Sequence, residues 1–424
     1  MTGPRSVDEH LATILAATTP LADLQVPLLD ALDLATVEDV VAGMGLPRFD
    51  NSAMDGYAVH HADVVTAGEE SPVKLPVIGQ IGAGQAGPPG PDGRTVTSLP
   101  PGTAAKIMTG APLPEGADCV VPYEWTDRGV AEVWIAQAPS LGQHLRHAGE
   151  DVEEGDLLVE AGTTLGPRHL GLLASLGRSH VRVRPRPRVV IVSTGSELRE
   201  PGTALGPDSI YDGNSFLLAA AARRAGAVPY RVGLVPDEPD ALLAALDDQL
   251  GRADVVVTSG GISMGDFDVV KEALSPLGSV WFGPVAMQPG KPQGFGTLSP
   301  RSGSGRAVPF FALPGNPVSS YLSFEVFVRP ALRRMMGLSP ESRRPVTARL
   351  THRVGSPPGR RQFLRGVLTL DDDGVSVAEV EPVGGSGSHL VGDLAASDAL
   401  IVVPEDVTEI AAGEQVTVIR LDQD

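Results

Sequence analysis

Apolar positions fall into distinct textures along the chain. Leu11, Ile14 and Leu15 recur at helical spacing behind Ser6-Val7-Asp8-Glu9, a capping-box pattern, and predict an opening amphipathic helix. Pro27 to Val41 mixes leucines with Asp30, Asp33, Glu38 and Asp39 and predicts a second helical or mixed stretch ending at Gly43 and Gly45. From there to about Ala138 come short β-like pieces, such as Val73 to Ile78 and Cys119-Val120-Val121, between Pro- and Gly-rich turns; this predicts a small β-rich module. Pro167 to Leu176 reads as a helix, and Arg182, Arg184, Arg186 and Arg188, punctuated by prolines, read as an extended linker. Strands at Val189 to Ser193, Tyr230 to Val235, Asp254 to Thr258, Val280 to Met287 and Val308 to Leu313 then alternate with helices near Phe216 to Arg224, Ala241 to Leu250, Val269 to Leu274 and Val318 to Met336. Such alternation predicts a doubly wound parallel sheet. Beyond Gly337, short strand candidates from Val346 to Arg420 predict a closing β domain.

Candidate chemistry gathers where the predicted strands end. The run Asp254-Val255-Val256-Val257 enters Thr258-Ser259-Gly260-Gly261-Ile262-Ser263-Met264-Gly265-Asp266-Phe267-Asp268, a glycine-rich turn that reopens as a helix. A turn of this kind brings backbone close to an anionic ligand, and Asp266 and Asp268 offer hard oxygens to Mg²⁺. The same turn can also be a plain tight connection. Thr194-Gly195-Ser196-Glu197, Asp237, Gln288-Pro289-Gly290-Lys291-Pro292 and Pro314-Gly315-Asn316-Pro317 stand at the other strand ends. In an open α/β sheet those loops line one crevice. Asp237 reads equally well as a helix cap, and Asp268 reads best as one. Lys291 between two prolines suits a fixed positive charge for a phosphate or oxyanion, with a solvated turn lysine as the alternative. His144 and His147 have metal-ligand spacing but no nearby third ligand, so a solvated loop is the simpler reading.

Charge and cysteine content narrow the function classes. With 33 basic and 52 acidic residues the formal charge is −19, which argues against nonspecific attraction to nucleic acid or an anionic membrane. Cys119 is the single cysteine, which excludes internal disulfides and cysteine-rich metal sites and fits a reducing, cytoplasmic setting. No export signal or membrane span is expected.

Further motifs complete an ordered set: Ser52-Ala53-Met54-Asp55-Gly56-Tyr57-Ala58, Ile107-Met108-Thr109-Gly110-Ala111, Ser193 to Leu198, Ser259 to Asp268, Pro289 to Pro292 and Leu313 to Ser319. In this order and spacing the chain resembles the MoeA family of molybdopterin molybdenumtransferases, similar to the C-terminal part of gephyrin. Ser196 departs from the family loop, which usually has an aspartate there.

The resemblance implies a multidomain α/β protein: a discontinuous N-terminal dimerisation domain (residues 1–50 plus 139–178), an inserted β-rich domain (51–138), a central, mostly parallel α/β molybdopterin-binding domain (179–338) and a C-terminal β domain (339–424). It further implies an elongated homodimer whose cleft lies between the α/β domain of one subunit and the N-terminal domains of the other. The implied reaction takes adenylylated molybdopterin and molybdate, inserts molybdenum at the dithiolene sulfurs and releases AMP with the help of Mg²⁺. Other molybdenum cofactor biosynthesis proteins and apo-molybdoenzymes are the implied partners. By motif match the catalytic positions are Asp55, Thr109, Glu197, Asp237, Asp266 and Lys291, with Asp151 as a further candidate. Glu197 and Asp266 are the implied metal ligands. Ligand contacts fall on Gly260, Gly261, Ser263, Gly265, Pro289, Gly290, Pro314, Gly315, Asn316 and Ser388. A molybdopterin adenylyltransferase, a CinA-like pyrophosphatase and a gephyrin-like scaffold are the alternative readings. The sulfur ligands belong to the pterin, so Cys119 is expected to take no part.

Overall fold

The β-branched runs become the buried strands of a six-stranded sheet. The structure, a computed structural model, describes residues 3–84, 96–262, 268–300, 306–371 and 377–422. It divides into two units: Met1–Glu38, Ala161–Leu170 and His180–Asp424 form the larger, Asp39–Glu160 and Gly171–Ser179 the smaller.

The sheet of the larger unit contains β1 (Arg188–Thr194), β2 (Val228–Val235), β3 (Val255–Ser259), β4 (Val280–Pro284), β5 (Pro292–Leu298) and β6 (Val308–Leu313), in the order β2-β1-β3-β6-β5-β4. Strands β2, β1, β3 and β6 are parallel. Val189, Ile191, Val255, Val257 and Phe311 face one core with helix α2 (Asn214–Arg224) and the helix that follows β6. Val190, Val192, Val256, Phe310 and Ala312 face the other, with α3 (Pro239–Leu250) and α4 (Val269–Leu274). Alternate residues serving two apolar layers is the reason these strands read as unbroken apolar runs.

The sheet is parallel only in part. The expected strand Val280 to Met287 ends at Pro284, and β4 pairs antiparallel with β5, a strand the alternation did not anticipate; β5 in turn runs antiparallel to β6. A parallel connection needs about a dozen residues or more, and the segment from 285 to 291 is too short for one. Met287–Gln288 leaves this sheet and pairs with Arg361–Gln362 instead.

After β6, α5 (Pro317–Ser323) runs through a π-helical turn, Phe324–Val328, into α6 (Arg329–Met335). Strands β7 (Pro345–Leu350), β8 (Arg361–Leu370), β9 (Val377–Pro382), β10 (Ala399–Val403) and β11 (Gln415–Arg420) follow. Because β8 pairs with both β9 and β10, while β7 and β11 close the circuit, they form a small barrel around Leu350, Val380, Ile401 and Val418.

The smaller unit carries a five-stranded sheet in the order Cys119–Pro122, Gly56–Val59, Ala104–Ile107, Val73–Ile81, Glu132–Ile135, as the β-like pieces predict. Pro27 to Val41 takes the mixed form of the expectation, a 3₁₀ turn at Leu28–Ala31 followed by the short strand Val40–Val41. One expectation needs correction. The basic run is no passive linker, since Arg182 bonds Asp23 and Arg188 bonds Asp254 at 3.0 Å.

The opening helix, Val7–Ala17, carries the full capping box: Glu9 N–H donates to Ser6 Oγ at 3.1 Å and Ser6 N–H to Glu9 Oε2 at 2.8 Å. Arg361 clamps its Asp8 with two bonds of 2.8 and 2.7 Å. His10 faces inward, its ring centroid 4.8 Å from that of Phe327 and 5.1 Å from that of Trp281. Burial, with nearby Arg5 adding to it, lowers the His10 pKa to about 4. An unfolded His10 takes up its proton near pH 6.5, so the unfolded chain binds more protons than the folded chain between about pH 6.5 and 4. Stability should therefore fall across that window as pH falls, with a slope of up to about 1.4 kcal/mol per pH unit from this group. His10→Leu should flatten that part of a urea-denaturation pH profile; an unaltered slope would show that His10 is not the source.

Candidate functional site

Strand β1 has its sequence successors on both sides, β2 on one edge and β3 on the other, so the connections leave in opposite directions and open a crevice at the carboxyl ends of β1 and β3. A cavity of about 1190 Å³ occupies this place. All five strand-end loops singled out above line it, through Glu197, Asp237, Gly260 with Gly261, Pro289 to Lys291, and Pro314 to Asn316. Ser388, from the loop between β9 and β10, completes the expected set. The Lys291 loop comes from the hairpin between antiparallel strands rather than from the end of a parallel one. Ser263, Gly265 and Asp266 lie outside the described residues.

Gly260 is the point of closest backbone approach. Its φ is +103°, and a Cβ there would lie 2.9 Å from the carbonyl oxygen of Thr194. Its N–H donates to Leu313 O at 3.1 Å, so this amide serves the seam between β3 and β6 rather than a ligand. The role of Gly260 is thus clearance: the expected close approach of the backbone is there, but the Gly260 amide is spent on Leu313 and does not face a ligand. Asn214 reinforces the same seam, donating to Ser259 Oγ at 2.9 Å and Gly315 O at 2.6 Å.

Asp237 is no helix cap. The cap position of α3 falls to Glu238, and Asp237 Oδ2 accepts from Ser196 N–H at 2.8 Å and from Ser196 Oγ–H at 3.1 Å. Ser196, the departure from the family loop, thereby ties the Glu197 loop to Asp237; an aspartate would set a second carboxylate there. Asp268 does hold the cap position of α4, but its side chain makes no capping bond and lines the cavity.

The Lys291 loop is pinned through its backbone. Gln293 Nε2 donates to Gly290 O and Ser323 Oγ, both at 2.6 Å, and Val285 N–H donates to Lys291 O at 2.7 Å. The exposed Lys291 side chain is left to the cavity. Asn316 Nδ2 donates to Ser388 Oγ at 2.8 Å, which occupies a lone pair and turns the Ser388 hydroxyl proton toward another acceptor.

Several lining residues escaped the sequence reading. Asp212 is buried, accepts from Ser193 Oγ–H at 3.1 Å and Ser215 N–H at 3.0 Å, and stands 4.0 Å from Arg231. Arg360 reaches the cavity too, as do Thr194 and Gln288 of the loops already singled out. Thr194 Oγ1 and Gln288 Oε1 are buried without a hydrogen-bond partner, as polar atoms awaiting a ligand or water would be. The one usable signal was the Tyr211-Asp212-Gly213-Asn214 segment before α2, another polar turn at a helix start. The described lining carries four carboxylates, Glu197, Asp212, Asp237 and Asp268, against the cations Lys291 and Arg360. Among the described residues no three potential ligands stand close enough to hold a metal by themselves. This donor set fits Mg²⁺, which uses one or two carboxylates and takes its other oxygens from water and substrate phosphates.

Asp55 and Thr109 belong to the smaller unit and form a closed pair: Thr109 N–H and Oγ–H both donate to Asp55 Oδ1 at 2.7 Å. These two bonds hold the Asp55 carboxyl below its ordinary pKa. Asp151 is exposed in the same unit, and His147 pairs with Asp50 at 3.5 Å. Burial pushes the Cys119 thiol up to about 12, which leaves it a core residue and a poor nucleophile.

Three family models match in succession: "MoeA N-terminal region (domain I and II)" over residues 5–177, "Probable molybdopterin binding domain" over 190–334 and "MoeA C-terminal region (domain IV)" over 347–421. Molybdopterin molybdenumtransferase 2 of Mycobacterium tuberculosis is 44% identical across 98% of this chain and 99% of its own. Molybdopterin molybdenumtransferase of Bacillus subtilis is 34% identical across 93% and 89%. The crystal structure of the molybdopterin biosynthesis MoeA protein of Pyrococcus horikoshii superposes with a TM-score of 0.81 at 32% identity, covering 99% of this chain and all of that one. No helix among the described residues is long and apolar enough to cross a membrane.

Two outcomes follow from the geometry. Thr109→Val removes one of the two bonds to Asp55, and a carboxyl-detected NMR titration should show the Asp55 pKa moving up toward the ordinary aspartate value. Gly260→Ala should cost about 1–3 kcal/mol in stability through the strained φ and the contact with Thr194, read as a lower unfolding midpoint in urea. Parent-like stability would mean that the β1–β3 crevice can widen.

Proposed function

This chain belongs to the MoeA family of molybdopterin molybdenumtransferases, and we propose that it takes adenylylated molybdopterin and molybdate, transfers molybdenum to the dithiolene and releases AMP. The supporting observation is the single cavity into which all the strand-end loops open. At about 1190 Å³ it exceeds the roughly 300–1,000 Å³ of ordinary small-molecule sites, as a pterin joined to a nucleotide requires. Its excess of carboxylates over cations favours an anionic ligand that arrives with a divalent cation.

The residues take roles from their chemistry. Glu197, with Asp266 from the glycine turn, would hold Mg²⁺, which supplies Lewis acidity at the phosphoanhydride. Lys291, on its braced loop, stabilises the charge that develops on the phosphates or the molybdate oxygens. Ser388 donates its hydroxyl to a ligand oxygen, oriented by Asn316. Asp237 holds the Glu197 loop in place through Ser196. Gly261, Pro289, Gly290, Pro314 and Gly315 shape the walls. Each subunit is read as the four domains outlined from the sequence, and the working form as a homodimer. In it, Asp55 and Thr109 of one subunit complete the cleft of the other. Apo-molybdoenzymes in the same reducing, cytoplasmic compartment receive the product.

Purified protein given adenylylated molybdopterin, molybdate and Mg²⁺ should release AMP and yield cofactor that activates an apo-molybdoenzyme. Formation of the adenylate from ATP without further turnover would replace this reading by the adenylyltransferase one. Lys291→Ala should lower kcat/KM for AMP release by about 10²–10³, the loss usual for one stabilising group. Co-expressed Asp55→Ala and Lys291→Ala chains should recover about a quarter of the parent activity, since half the dimers are mixed and each mixed dimer has one intact cleft of two. No recovery would place both residues in a cleft within one subunit.

A further inference from the structure

The segment between β1 and α2 exposes two aromatic rings in different circumstances. Just beyond β1, Leu198–Arg199 and Ile210–Tyr211 pair as a short parallel ribbon, and Ile210 N–H donates to Glu197 O at 2.9 Å. Phe216, 44% exposed at the start of α2, is covered by the Arg231 guanidinium, 3.6 Å from its ring centroid. Tyr211 is exposed to the same degree, 45%, and it lines the cleft. Among the described residues no second ring and no cation stacks on it.

Tyr211 is fixed at both ends. Its hydroxyl donates to Thr203 O at 2.8 Å. At the backbone, Asp212 N–H donates to Arg199 O at 2.9 Å and Gly213 N–H to Tyr211 O at 3.0 Å, while the Asp212 carboxylate is bonded to Ser193 and Ser215. A ring held in this way loses little freedom when a ligand packs on it. With its one donor spent on Thr203, it offers the cleft a flat apolar face. Leu198, Ile210 and Leu217 line the cleft from the same segment and extend that apolar wall.

Charge divides the cleft along the same direction. The charged lining residues beyond β1 and β2 are the carboxylates Glu197, Asp212 and Asp237, whereas the cations Lys291 and Arg360 stand on the other side. Lys291 leads into β5, three places from β1 in the sheet, and neighbouring strands lie about 4.8 Å apart, so roughly 14 Å separates the roots of the two walls. Arg361 pairs with Met287, which brings Arg360 to the Lys291 side. A bare phosphate is drawn toward the cations and repelled by the carboxylates, which leaves the Tyr211 wall to an uncharged part of the ligand. A pterin joined to a nucleotide has a flat ring system at each extremity. Both rings carry amino N–H groups that suit carboxylate acceptors.

We propose that Tyr211 is a binding residue, the platform on which a planar, amino-bearing heterocycle of the ligand stacks; this rests on the reading of the cleft as the site of adenylylated molybdopterin. The shared chemistry is the flat heterocycle, supplied by the adenine or by the pterin.

Calorimetric titration of the full chain with AMP, and separately with neopterin, tests the platform. At least one of them should bind the parent. Tyr211→Ala, with thermal unfolding confirming that it folds, should bind that probe about tenfold more weakly, the loss typical of one stacked ring. Tyr211→Phe, which keeps the ring and loses only the bond to Thr203, should stay within about twofold of the parent. Weakening of AMP alone assigns the ring to adenine, and weakening of neopterin alone assigns it to the pterin. In turnover, Tyr211→Ala should raise KM for adenylylated molybdopterin about tenfold at nearly constant kcat, because the ring is remote from Lys291. A fall in kcat at constant KM would overturn the proposal by showing that the substitution acts through the Glu197 loop. Absence of binding of both probes to the parent, parent-like binding by Tyr211→Ala, or equal losses in Tyr211→Phe and Tyr211→Ala would overturn it too. AMP release by a parent whose probe binding ignores Tyr211 would remove the platform and leave the transferase reading standing. Ring-dependent binding in a parent that releases no AMP would keep the platform and sink that reading.

Discussion

The cleft depends on how closely the backbones at the ends of β1, β3 and β6 approach one another. Gly260 has space only for a hydrogen where a Cβ would meet Thr194, and its amide is closed onto Leu313. Gly315 passes so near that its own Cβ would stand 3.4 Å from Gly260 Cα. With the strand ends drawn together, the loops that follow them turn outward into the same space. Asn214 then bridges Ser259 and Gly315 across the seam.

From this constraint the chemistry is assembled by bracing rather than by direct burial. Lys291, Asp237 and Glu197 are exposed side chains, so their positions must come from the loops that carry them. Gln293 and Val285 hold the Lys291 loop, Ser196 links Asp237 to the Glu197 loop, and Asn316 orients Ser388. These three groups therefore stay hydrated, which avoids the desolvation cost of buried charge, while hydrogen bonds from neutral donors fix their geometry; Asp212 is the buried exception among the lining carboxylates.

Much of this was legible in the sequence because the responsible patterns are local. Runs such as Val255-Val256-Val257 fill two apolar layers at once, so their strands stood out, and the turns after them stood out through glycine and proline. The capping box at Ser6 and Glu9 formed as written. Strand direction was less legible, since nothing within β4 or β5 distinguishes an antiparallel hairpin from a parallel crossover except the length of the connection. Asp237 looked like a cap because its true partner, Ser196, is 41 residues away in sequence.

The sequence by itself determined the family, the β-rich, α/β and closing β regions, and the loops that bear the chemistry, because those rest on periodicity and on residue types that few backbones tolerate otherwise. Only the tertiary structure decided which polar groups meet. It gave the Gly260 amide to Leu313, drew Asp212 and Arg360 into the cleft and paired Asp55 with Thr109. The physical reason is that a hydrogen bond or a charge cluster is a relation between segments distant along the chain, and its distance and direction exist only once the sheet order and strand register are in place.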